Sequence, residues 1–206
     1  MRSIEQKIKQ QFARVFQVGD WQLFKRMAEF YLRSAAYLRT SDITAPSYLK
    51  LLARNSQKRL FIGVGVELLL KAVYLKGGYA INRHKSGSAG PGFPFKLDGA
   101  MRSQLVANET FLLDELIGNV KQVVSLKNRE GVLRGLKIAK VFRNKEGHTV
   151  TAKHVFDPSN YRDIEVALRE LYRVAFDEIL TIRFSLAPNE MPLWRIRPLS
   201  PKGDSH

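Results

Sequence analysis

The apolar positions of this chain recur mainly every three or four residues, which is the period of an amphipathic helix. Between residues 20 and 38 one such face consists of Trp21, Phe24, Met27, Ala28, Tyr31, Leu32 and Ala35. Residues 45–54 give a shorter candidate helix. Residues 57–76 give a long, almost wholly apolar one, which Gly77 and Gly78 would end as a C-terminal cap. A helix that is apolar on nearly all of its sides is predicted to be buried at the centre of the fold.

The second half of the chain predicts three more helices. Asn108 is a good N-cap for the first of them. The second follows Gly131 and runs to Glu146, with Gly147 as its cap. Asp157 and Pro158 open the third, as the N-cap and the first helical residue.

The third of these helices carries apolar residues at helical spacing up to residue 182. Its inward stripe consists of Ile164, Leu168, Leu171, Ala175, Ile179 and Ile182. Glu165 and Arg169 lie four residues apart, and the pattern places them on the solvent side.

Two segments lack helical periodicity. Residues 77–107 are rich in glycine and proline and carry the basic Arg83 and Lys85, which predicts a long basic loop. Residues 187–206 form a proline-rich basic tail, predicted to be irregular. The run Trp194–Arg197 within it could dock on the domain, on a partner subunit or on nucleic acid, and docking on the chain's own surface is slightly favoured. Only residues 149–156 weakly suggest a strand, so we expect an all-α bundle of four to five long helices over residues 1–186.

Charge and composition narrow the function classes. The chain has 34 Lys and Arg against 19 Asp and Glu, a formal net charge of +15. This favours polyanions, with nucleic acid before anionic membrane, although such a charge can also serve solubility alone. The absence of cysteine excludes disulfides, thiolate zinc sites and cysteine nucleophiles. There is no metal-ligand spacing and no phosphate-binding glycine loop, so no metal or cofactor is expected. No apolar run reaches the ~20 residues of a membrane span, and a cytoplasmic location is expected.

The segment Arg143-Asn144-Lys145-Glu146-Gly147-His148 is the main candidate for chemistry. An Arg and a His at such a spacing occur by chance roughly once in a chain of this composition, so context must carry the argument. Asn144 follows Arg143 directly, and Arg143 continues the apolar register of the preceding helix. Gly147 permits the left-handed turn that could bring His148 back beside Arg143.

These six residues resemble the signature of the HEPN (higher eukaryotes and prokaryotes nucleotide-binding) family, in which Arg and a polar residue precede a His. The run from Glu67 to Lys71 and Ala72 is similar to the Glu-x-x-x-Lys-Ala pattern of an earlier core helix in that family. The resemblance covers roughly residues 21–184. One departure is that Thr149 and Val150 follow His148 where many toxin members continue with x-Tyr, which puts in doubt any role assigned to that tyrosine.

The resemblance implies a helical bundle with metal-independent endoribonuclease activity, in a toxin or antiviral-defence effector. The substrate RNA would supply its own 2′-OH nucleophile, and the products would be 2′,3′-cyclic phosphate and 5′-OH ends. His148, with an ordinary pKa near ~6.5, would act as general base or acid. Arg143 would stabilise the transition-state charge, and Asn144 would orient a phosphate oxygen or the imidazole. One such His per chain leaves a proton-transfer role unfilled, so a homodimer with the site at its two-fold interface is expected.

Further residues are assigned more weakly. Lys145, Lys140, Arg83 and Lys85 are candidate substrate-binding cations, and His154 is a second, weaker histidine candidate. Glu67 is either a supporting acid or half of an internal salt bridge with Lys71. An acidic antitoxin would complement the charge, without direct support from the sequence. The alternative to catalysis is a basic helical module that binds nucleic acid or nucleotides, with Arg143 as an ordinary surface residue at a helix end.

Overall fold

The described part of the chain is mostly helical. The structure is a computed structural model that describes residues 3–38, 48–146, 157–185 and 191–199. These ranges contain six α-helices: α1 (Ile4–Gln11), α2 (Trp21–Tyr37), α3 (Tyr48–Lys76), α4 (Leu113–Val123), α5 (Arg129–Glu146) and α6 (Pro158–Leu171). They also contain four short strands: β1 (Asn82–His84), β2 (Leu105–Thr110), β3 (Glu178–Arg183) and β4 (Leu193–Pro198). The expected helical fold is therefore present, with two small sheets that the sequence pattern did not predict.

Helix α3 is the centre of the packing, because α2, α4 and α5 all lie against it. Its C-terminal half is nearly inaccessible to solvent, as Leu69, Leu70, Val73 and Leu75 show. The prediction of a buried central helix is confirmed. The two segments predicted over residues 45–54 and 57–76 are one continuous helix from residue 48, since the residues between them also keep helical backbone.

The segment predicted as a long loop contains an antiparallel hairpin. Strand β1 pairs with β2, and Asn82 lies opposite Thr110. The side chain of Asn82 is fully buried; its amide donates to the carbonyls of Arg14 and Val106, at 3.0 and 2.9 Å. Its Oδ1 accepts from the backbone N–H of Phe16 at 3.0 Å. This buried amide joins the hairpin to the segment after α1, which gives an otherwise irregular sequence a fixed structure.

The same hairpin corrects the predicted start of α4. Asn108 lies inside β2 and is not an N-cap. Helix α4 begins instead at Leu113, and Glu115 in its first turn accepts a hydrogen bond from the backbone N–H of Leu112 at 2.7 Å.

Helix α6 begins as predicted but ends early. The side chain of Asp157 accepts from the backbone N–H of Ser159 at 2.8 Å, which confirms the cap. The α-helix ends at Leu171, a π-helical turn follows, and Asp177 adopts a left-handed conformation with φ of 58°. The prediction that the helix reaches Ile182 is wrong, because the chain reverses at Asp177 and continues as β3.

The proline-rich tail is also more ordered than predicted. Strand β4 pairs with β3 in antiparallel register, from Glu178 opposite Pro198 to Arg183 opposite Leu193. Trp194 lies opposite Ile182 and packs against the core. The prediction of an irregular segment is wrong for these residues, whereas docking of Trp194 on the chain's own surface is confirmed.

A buried polar cluster joins α3, α6 and the end of β3. Glu165, expected on the solvent side, is 6% exposed and accepts from the backbone N–H of Phe184 at 2.7 Å. Burial raises the pKa of this carboxyl. The Lys58 ammonium donates to the carbonyl of Phe184, and burial lowers the pKa of Lys58 to about 8 despite the attraction of Glu165. The helical pattern predicted an exposed Glu165. The spacing of apolar residues in α6 does not show that β3 returns to pack against this helix.

Within the described ranges, no helix combines the length and the apolar character that crossing a bilayer requires.

Candidate functional site

The last turn of α5 packs against a polar stripe on α3. The stripe consists of residues spaced by three or four positions on one face of α3: Ser56, Arg59, Gly63, Glu67 and Lys71. Glu146 of α5 contacts Ser56 and Arg59 at one end, and Arg143 contacts Gly63 and Glu67 further along. The two helices therefore run antiparallel where they carry the candidate residues.

Glu67 bridges two cations. One of its carboxylate oxygens lies 3.0 Å from the Lys71 ammonium, and the other lies 3.0 Å from Nε of Arg143. The side chains of Glu67 and Lys71 are 16% and 12% exposed, while that of Arg143 is 44% exposed. The salt bridge predicted between Glu67 and Lys71 is present. The sequence did not predict that the same carboxylate also orients Arg143.

The guanidinium of Arg143 is held on two sides. Its Nε faces Glu67, and its Nη1 donates to Oδ1 of the neighbouring Asn144 at 3.2 Å. In the described part of the chain its Nη2 has no hydrogen-bond acceptor, so this group can donate to an incoming anion. With two cations around one carboxylate, the formal charge of the Arg143, Glu67 and Lys71 group is +2 − 1 = +1. This surface is suited to a phosphate.

Gly63 allows α5 to approach α3 closely at Arg143. A Cβ atom at Gly63 would lie 2.4 Å from Cβ of Arg143, a distance that non-bonded carbons do not tolerate. The missing side chain thus brings the backbone of α5 within reach of Glu67.

A buried ion pair fixes the residue that ends α5. Glu146 accepts from Nε of Arg59 and from the hydroxyl of Ser56. The side chains of Arg59 and Glu146 are only 1% and 2% exposed. Burial raises the pKa of the Tyr161 hydroxyl on α6, and the positive charge of Arg59 opposes that rise. The sequence pattern did not predict this pair, although the register of Arg59 with Ser56 and Glu67 on one face of α3 was a usable signal.

The weaker substrate-binding candidates lie in three places. Lys140 lies 2.5 Å from Asp114, and Arg83 lies 2.6 Å from Glu115, so both reach the first turn of α4. Lys85 instead donates to the carbonyl of Ser103 at 2.5 Å in the hairpin region. Lys145 is exposed on α5 next to Asn144.

The remaining part of the predicted motif lies outside the described residues. This applies to Gly147 and His148, and also to His154. In the described ranges, no three His, Asp or Glu side chains lie close enough together to hold a metal ion. Comparison with protein-family models, with curated proteins and with solved structures finds no match to this chain.

Proposed function

We propose that this protein is a metal-independent endoribonuclease of the HEPN type, serving as a toxin or antiviral-defence effector. The observation that carries the proposal is the arrangement around Arg143. Glu67 and Asn144 hold its guanidinium at the solvent boundary, and His148 follows Arg143 by five positions in the sequence. RNA cleavage by the 2′-OH needs an oriented cation for the phosphate charge and titratable groups for proton transfer, and these are the roles proposed for Arg143 and His148.

The proposed reaction is an in-line transfer within the RNA. His148 takes the proton of the 2′-OH while the 2′-oxygen bonds to phosphorus. The P–O5′ bond breaks, and the 5′-oxygen leaves with a proton from a second acid, giving a 2′,3′-cyclic phosphate and a 5′-OH end. Arg143 stabilises the extra charge on the non-bridging oxygens, with Nη2 as the available donor. Lys71 offsets the negative charge of Glu67, which would otherwise repel the phosphate.

The second acid is proposed to be His148 of a second copy. A partly buried apolar surface on α3 supports this, because it adjoins Glu67 and Lys71. Its members are Leu60, Phe61, Val64 and Leu68. A two-fold related copy that covered this surface would bring both Arg143 side chains to one cleft.

The test is cleavage of a mixed RNA pool by purified protein in chelator. Wild type should give cyclic phosphate and 5′-OH ends, identified by mass spectrometry. Arg143→Ala should lower the rate by about 10²–10³ and His148→Ala by about 10²–10⁴. Arg134→Ala is the matched control, because Arg134 is an exposed α5 arginine paired with Asp163 at 2.9 Å. This control should cleave like wild type.

Equal cleavage by wild type, Arg143→Ala and His148→Ala would refute the proposed roles. Absence of cleavage, together with salt-sensitive RNA binding that survives His148→Ala, would favour the non-catalytic binding module. Oligomeric state, measured by sedimentation with and without Val64→Glu, tests the two-copy site separately. The substitution should yield monomers and abolish cleavage together.

A further inference from the structure

Helix α2 presents a second apolar stripe, on the side opposite its buried face. The buried face consists of Phe24, Ala28, Leu32, Ala35 and Ala36. Four large side chains on the other side are strongly exposed: Leu23 (48%), Met27 (42%), Phe30 (62%) and Tyr37 (49%). Four exposed large apolar side chains on one side of a single helix indicate an interaction surface.

The spacing of this stripe indicates what shape covers it. Leu23, Met27 and Phe30 are separated by four and three residues, and Tyr37 follows Phe30 by seven. Such a seven-residue repeat forms a narrow seam along the helix, and a second helix is the shape that fills such a seam. We name this surface, defined by Leu23, Met27, Phe30 and Tyr37, the α2 seam.

The charge beside the α2 seam decides between partners. Arg26 and Arg33 are exposed seven residues apart along one flank, and Arg33 stacks on Tyr37 with its Cζ 5.8 Å from the ring centroid. Glu29 is the one acidic residue of α2, and it is engaged by Lys25 at 3.0 Å and by the Tyr172 hydroxyl at 3.3 Å. The Glu29 carboxylate is thus already paired, and Arg26 and Arg33 leave this flank with a net positive charge.

A second copy of this chain is disfavoured, because two such flanks would oppose like charges. RNA is disfavoured by the aliphatic N-terminal half of the seam, since Leu23 and Met27 offer neither hydrogen bonds nor stacking. We propose that the α2 seam binds an amphipathic helix of another protein, with an apolar stripe at heptad spacing and Asp or Glu along the edge that faces Arg26 and Arg33. This site is independent of the proposed ribonuclease activity.

Two synthetic helical peptides test the proposal with full-length protein. Both carry leucine at the two apolar heptad positions; one carries Glu and the other Lys at the flanking positions. Fluorescence anisotropy should give a Kd for the Glu peptide at least about tenfold lower than for the Lys peptide. Phe30→Ser should weaken the Glu peptide about tenfold. The double variant Arg26→Gln, Arg33→Gln should remove most of the discrimination between peptides.

Phe12→Ser is the matched control, since Phe12 is 78% exposed on the segment that ends α1, outside the seam. It should bind both peptides like wild type. Equal binding of the two peptides, an equal loss in Phe12→Ser, or no binding at all would overturn the proposal. Two results would show that the seam binds something else. One is a wild-type dimer that Phe30→Ser dissociates, and the other is wild-type protein that binds RNA but neither peptide and loses its RNA binding in Phe30→Ser. Circular dichroism checks that each variant keeps its helical content.

Discussion

Removal of the Glu146 carboxylate should destabilise the protein far more than removal of any surface charge. Glu146 and Arg59 form their ion pair with side chains 2% and 1% exposed. Glu146→Ala removes the buried carboxylate that faces the Arg59 charge, and breaking a buried pair in this way costs about 3–5 kcal/mol. Domains of this size are stable by only about 5–15 kcal/mol, so the loss is a large share of the free energy of unfolding.

The assay is urea unfolding followed by far-ultraviolet circular dichroism, with the free energy obtained by linear extrapolation. Asp163→Ala is the matched control, because it breaks the Arg134 pair at 2.9 Å, where the arginine side chain is 64% exposed. Such a pair contributes at most about 1 kcal/mol.

A double variant separates the charge effect from the loss of packing. Arg59→Leu with Glu146→Leu removes both charges and leaves none stranded, so it should be more stable than Glu146→Ala alone. Two results would refute the reasoning. One is a loss below about 1 kcal/mol in Glu146→Ala, and the other is a double variant less stable than the single one.

Three further predictions concern pH, charge and packing. Burial lowers the Lys58 pKa from 10.5 to about 8, so the folded state loses this proton before the unfolded state does. The contribution of Lys58 to stability should therefore rise by about 3 kcal/mol between pH 8 and 10.5, and Lys58→Met should lack this contribution in urea titrations at several pH values. Lys71→Met lowers the formal charge of the Arg143, Glu67 and Lys71 group from +1 to 0. The RNA affinity should fall, and the slope of the logarithm of the RNA-binding constant against the logarithm of the salt concentration should decrease in magnitude by about one. An unchanged slope would contradict a phosphate contact. Gly63→Ala should push α5 from α3, costing about 1–3 kcal/mol and lowering cleavage, whereas Gly19→Ala, which meets no atom within 4 Å, should be neutral in both assays.

The helices were predictable from the sequence because their signals are local. The Asp157 cap, the apolar stripe of α2 and the pair of Glu67 with Lys71 each depend on residues within a turn or two of one another. Sequence spacing alone fixes such contacts once the backbone is helical.

The strands were not predicted, because their signals are not local. Ile179 and Ile182 are three residues apart, as in a helix, yet full burial at Leu180 and Ile182 follows the two-residue period of β3. The left-handed turn at Asp177 and the pairing with β4 decide between the two periods. Both depend on residues distant in sequence, so periodicity alone could not choose.

Only the part of the candidate site that is local in sequence was predictable, for the same reason. Arg143 and Asn144 were found from their adjacency. The partnership of Arg143 with Glu67 joins residues 76 positions apart and required the packing of α5 on α3. The close approach of Arg143 to Gly63 was not predictable either, because the role of a glycine within a helix depends on how the neighbouring helix packs against it.

The two ion pairs at the end of α5 differ in a way that bears on mechanism. Arg59 and Glu146 are buried on both sides of their bond, so they cannot take part in chemistry and serve to fix the helix end. Arg143 has a buried acidic partner but is itself half exposed, so it keeps donors for an external anion. Glu146, which this pair fixes, is the last described residue of α5, and the predicted motif continues after it with Gly147 and His148.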